Sequence, residues 1–120
     1  MKRFTFLLIM LLATTTAQAQ KAGPHGGLLS GKGGHEIELV VAPSEITIYI
    51  VADGKAHSTE GTKLRAIVQS AGKSTTIELV DTGGEKLVGK LAAPLAKGAI
   101  VVITGKDDHG DAVSARYSIK

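Results

Sequence analysis

The chain has 120 residues, no cysteine, and 14 basic against 11 acidic residues. That length suits one domain, and the lack of Cys excludes a disulfide framework, a thiolate metal site and a cysteine-linked lipid anchor. The positive excess belongs to the N-terminus: without Lys2 and Arg3, twelve basic residues face eleven acidic ones, so nucleic acid and anionic lipid are not indicated as partners.

Lys2 and Arg3 precede an apolar run over residues 4–13, and Ala17-Gln18-Ala19 supplies a small-x-small cleavage pattern. This reads as a signal peptide over residues 1–19, which places the protein in the periplasm or outside the cell. The apolar run is shorter than the roughly 20 residues a spanning helix needs, so no membrane insertion is expected after its removal. Residues 20–34 are rich in Gly and read as a flexible lead-in. From there the sequence alternates. Residues 35–41, HEIELVV, set Ile37, Leu39 and Val41 on one face, with Glu36 and Glu38 on the other. Residues 45–51, EITIYIV, repeat the pattern, and Asp53-Gly54 marks a hairpin turn. Further β-branched runs follow at 64–69, 74–80, 86–91, 99–104 and 112–119. The connection at 92–98 has room for one helical turn.

No segment sustains a 3.6-residue apolar period. The expectation is therefore all-β: one small antiparallel β-sandwich or barrel of seven to eight strands over residues 35–120.

Three enzyme-like motifs fail on inspection. Residues 26–32, GGLLSGK, fit the first seven positions of a P-loop, but Gly33 stands where Ser or Thr would hold magnesium, and a strand follows where a helix should begin. His35-Glu36 opens like H-E-x-x-H, but Leu39 occupies the second His position. No Ser lies in a nucleophile elbow. No enzyme is expected.

Four histidines remain as candidate metal ligands: His25, His35, His57 and His109. None forms a close H-x-H pair, and each also reads as an ordinary loop or rim residue. Without Cys, and with both Met residues in the first ten positions, imidazole and carboxylate are the available donors. They suit Zn²⁺, Cu²⁺, Ni²⁺ or Co²⁺, and such binding fades below about pH 6 as imidazole protonates. If SGKGG turns a hairpin, His35 falls opposite Leu29 and His25 lies about 13 Å further along, at 3.3 Å per residue. The two then meet only if PHGG folds back, which Gly26 and Gly27 permit.

Pro24, His25, Gly26 and Gly27, then Glu38, Leu39 and Val40, then Tyr49, and finally Asp53, Gly54 and Lys55, form a set. It resembles small periplasmic proteins of heavy-metal resistance loci, and the N-terminal domain of periplasmic adaptor subunits of heavy-metal efflux pumps. The resemblance covers about the first third of the mature chain. The long helical hairpins of the adaptors have no counterpart here, so it implies a stand-alone relative that handles metal in the periplasm, with His25 as the carried-over ligand. Relatives often have Pro after the DGK turn, whereas Ala56 and His57 follow here, so no role carries over to His57.

The leading expectation is a periplasmic binding protein for a divalent transition metal, acting as buffer or carrier for a heavy-metal efflux complex. His25 would be a mobile ligand, with His35 and His57 as candidate partners. The alternative is a metal-free structural or interaction domain that docks a partner by strand addition.

Overall fold

A computed structural model describes residues 21–31 and 35–120, and only the backbone of His35. The leader read over 1–19 lies outside the described residues. Eleven strands occur among the described residues: β1 Lys21–Ala22, β2 Leu28–Ser30, β3 His35–Val41, β4 Glu45–Ala52, β5 Lys55–His57, β6 Lys63–Ser70, β7 Lys73–Glu78, β8 Val80–Thr82, β9 Lys86–Lys90, β10 Ile100–Lys106 and β11 Ala112–Ser118. One sheet has the order β1-β2-β3-β4-β9-β8, with β5 also on β4, and the other has the order β11-β10-β6-β7. All pairings are antiparallel. The architecture is a β-sandwich, the first of the two closures expected.

Alternation explains the core. Ile37 and Leu39 of β3, Ile46, Ile48 and Ile50 of β4, and Leu87 of β9 turn inward from the larger sheet. Leu64, Ala66, Val68, Val101, Ile103, Ala115 and Tyr117 meet them from the smaller one. Each of these strands has its inward residues two apart, as the pleat requires. Tyr117 is the one aromatic ring in the core cluster, so aliphatic side chains do most of the packing around it. Its hydroxyl donates to the carbonyl of Ile37, tying β11 of one sheet to β3 of the other. Burial, and secondarily the charge of Glu38, raise the Tyr117 hydroxyl well above the ordinary tyrosine range.

The structure departs from the sequence expectation in four places. The lead-in contains two short strands: β1 and β2 pair with each other and β2 pairs with β3. Two or three residues are too few to show alternation, so these strands carry no sequence signature. The run at 74–80 divides at Leu79, with β7 in the smaller sheet and β8 in the larger. The connection at 92–98 forms turns and no helix. Finally, Leu29 pairs with Glu38 rather than with His35. The β2–β3 connection is longer than the hairpin assumed, and this three-residue shift decides what lies near His25.

Candidate functional site

The site is the turn between β1 and β2, which folds back onto the outer face of the larger sheet. Gly23 N donates to Gly27 O at 2.9 Å and Gly26 N to Gly23 O at 3.0 Å. Gly26 takes a φ of 76°, a conformation that a side chain disfavours. A Cβ at Gly23 would overlap the Glu38 carboxyl, and one at Gly27 would overlap the Leu39 carbonyl. The glycines of the PHGG stretch therefore serve a tight turn pressed against β3.

Glu38 is what the turn closes over. Its neighbours Ile37 and Leu39 face the core, so alternation sends Glu38 to the opposite face. It is nevertheless 0% exposed. Its Oε2 accepts from the backbone N–H of His25 and of Gly27, both at 2.9 Å. Its Oε1 lies 2.7 Å from His25 Nδ1. Burying a carboxylate away from water is costly unless hydrogen bonds replace its hydration, and here three donors do so. No buried side-chain polar atom among the described residues lacks a partner.

The His25 ring is held on two sides. It stacks on Tyr49, with centroids 3.6 Å apart and planes 6° from parallel. Tyr49 stands there because it pairs with Glu38 across β3 and β4 and so shares its face. With Glu38 as an accepting carboxylate, the 2.7 Å contact calls for the tautomer with the proton on Nδ1, which leaves the lone pair on Nε2. The His25 side chain remains 34% exposed. Glu38 takes Nδ1 and Tyr49 takes one face, so the Nε2 edge and the other face are the parts of the ring that these two contacts leave open.

The other candidates lie elsewhere. His57 ends β5 opposite Ile50, a core residue, and so belongs to the inward side of the sheet. It lines a cleft of about 660 Å³ at one end of the sandwich, with Ile37, Ile50, Asp111 and Arg116. His109 sits in the β10–β11 turn, its Nε2 3.7 Å from Asp108. His35 begins β3 opposite Ala52, and its side chain lies outside the described part. Among the described residues, no three His, Asp or Glu side chains come together as a metal-holding group. In place of a mobile ligand, the structure shows His25 anchored, with a carboxylate and a tyrosine ring as its contacts.

Sequence reasoning missed Glu38 and Tyr49 as site residues. Glu38 looked like an outward strand residue, since a covering turn whose donors lie 13 and 11 residues upstream leaves no mark on local alternation. The signal available was their place in the resemblance set, where Pro24, His25, Gly26, Gly27, Glu38 and Tyr49 stand together. In the fold all six belong to one unit.

No family model, curated protein or solved structure matches the chain.

Proposed function

We propose that the protein is an exported binding protein for a divalent transition metal, Zn²⁺ or Cu²⁺ foremost, with His25 Nε2 as the donor. It would buffer the ion or carry it to a heavy-metal efflux complex. One observation supports this reading above the others: His25 Nδ1 is engaged by the buried Glu38 carboxylate. Metal-binding histidines typically donate their second nitrogen to a carboxylate or carbonyl, which fixes the tautomer, aims the ring and raises its basicity. An imidazole held this way is prepared to bind an ion before the ion arrives.

Titration calorimetry with Zn²⁺, Cu²⁺ and Ni²⁺ tests the proposal. Saturable binding tighter than about 100 µM, about −5.5 kcal/mol, is expected for the wild type and is lost in His25→Ala. Tyr49, stacked on the ring, provides a second readout, because Cu²⁺ at Nε2 would quench its fluorescence. Nε2 holds either a proton or an ion, so acid weakens the binding.

A metal-free interaction domain has its own supporting observation. Among the described strands β7 pairs on one side only, with β6. A cleft of about 850 Å³ lies beside it, lined by Val68, Ile77, Val80, Leu91 and Leu95 among others. An extended peptide added to β7 could place alternate side chains there. This reading predicts that the same titrations are flat for all three ions.

A further inference from the structure

We propose that His25 is half of an intermolecular site, in which one divalent transition ion is held between the Nε2 atoms of His25 from two copies of this chain. The inference rests on the metal-binding reading and adds the partner to it.

Each chain offers one oriented imidazole at this place. Glu38 is fully buried and its two oxygens already accept from three donors, so it supports the ring rather than facing an ion. Tyr49 lies flat beneath the ring. The other described histidines are kept apart by the fold. His57 shares the register row of Ile50, on the face of the sheet opposite to Tyr49. His109 belongs to the β10–β11 turn of the other sheet. Among the described residues, neither His57 nor His109 stands beside His25, and no group of three metal-binding side chains forms there, so the next protein donor is assigned to a second chain.

A second copy supplies that donor with no further requirement on the sequence. A two-fold axis through the ion presents the same group twice, and self-complementary pairing of this kind is the commonest form of association. Two Zn–N bonds of about 2.0–2.1 Å bring the imidazole edges close without displacing either ring from Tyr49, because each ring is entered from its solvent edge. The even balance of basic and acidic residues downstream of the leader leaves little net charge to hold two copies apart.

The test is sedimentation velocity of the wild-type protein with Zn²⁺ or Cu²⁺ and again with EDTA, alongside calorimetric stoichiometry. The expected result is a doubling of mass with metal, one ion per two chains, and reversal by EDTA. His25→Ala should stay monomeric, with its fold checked by circular dichroism, while His57→Ala and His109→Ala pair as the wild type does. Electron paramagnetic resonance of the Cu²⁺ form should show two equivalent nitrogens. One ion per chain at unchanged mass would overturn the two-copy site and leave the metal-binding reading standing. No saturable binding would overturn both. A dimer that persists in EDTA, or pairing abolished by His57→Ala or His109→Ala, would also overturn it.

Discussion

The β1–β2 turn and the β10–β11 turn each carry a histidine and a carboxylate that accepts from two backbone amides, one of them the histidine's own. In the second, Asp107 Oδ1 accepts from His109 N at 2.9 Å and Asp111 N at 2.8 Å. In the first, Glu38 Oε2 accepts from His25 N and Gly27 N, both at 2.9 Å. The chemistry is alike, and its placement differs. Asp107 lies two and four residues from its donors, so the turn satisfies itself locally and stays in water. Glu38 lies 13 and 11 residues from its donors, in another strand and out of reach of solvent. A local cap shapes a turn. A buried acid reached across strands ties the turn to the sheet, and it does so at an energy that depends on excluding water.

The largest expected effect follows from that contrast. Glu38→Ala removes a buried acceptor from three donors at once, and hydrogen bonds to a charged group contribute about 1.5–3 kcal/mol each before the donors re-solvate. Urea unfolding at neutral pH should show a loss of about 2–4 kcal/mol. Asp107→Ala removes a local cap and should cost about 1 kcal/mol or less. Equal losses would break the comparison, because they would mean that burial adds nothing to the first turn.

A smaller effect reports on the interior beneath Glu38. Tyr117 is held neutral in the fold, its hydroxyl raised above the ordinary 10.0 by burial first and by the Glu38 charge second. An acid whose folded value is raised stabilises the fold fully below its unfolded value, and that contribution is lost as pH rises past it. Above about pH 10 the unfolded chain sheds this proton while the native chain retains it. Unfolding free energy should then fall by up to about 1.4 kcal/mol per pH unit. Tyr117→Phe should flatten that alkaline slope, at a cost of about 1–2 kcal/mol at neutral pH for the Ile37 carbonyl left without its donor. Parallel slopes in the two proteins would place the alkaline loss elsewhere.

Seven of the strands were legible as runs of five or more residues that alternate or are rich in β-branched side chains, with Ile46, Ile48 and Ile50 the plainest case. The short strands β1, β2, β5 and β8 were not, since three residues give no period. The turn at Asp53-Gly54 was legible from composition. The equivalent turn at Ala71-Gly72 uses the same left-handed pair, with Ala71 at φ 49°, where its residue type gives weaker notice. At the site, His25 was legible as a residue of interest, and the fold-back of its loop as a possibility that the glycines allow. Its partner was not. The length of the β2–β3 connection sets which β3 residue stands opposite Leu29, and nothing local fixes that length. A three-residue error in register puts His35 where Glu38 belongs, and with it a metal pair in place of a carboxylate clamp.

The smallest expected effect is the sharpest check on the two turns. The backbone N–H of His109 donates to Asp107 whatever side chain it carries, so His109→Ala retains the cap. The ring loses only its 3.7 Å approach to Asp108, between side chains 73% and 43% exposed. Water replaces such a contact almost fully, and exposed pairs of this kind contribute about 0–1 kcal/mol. The urea midpoint of His109→Ala should therefore lie within about 0.5 kcal/mol of wild type in free-energy terms. His25→Ala also retains its backbone bond to Glu38, but it loses the Nδ1 bond to a buried acceptor and the Tyr49 stack. That should cost about 1–3 kcal/mol. Because both substitutions delete the same ring and spare the same kind of amide, the difference between them measures what covering the carboxylate contributes. If His109→Ala proves as damaging as His25→Ala, the covered turn is no more tightly held than the open one, and the anchoring of His25 loses its energetic basis.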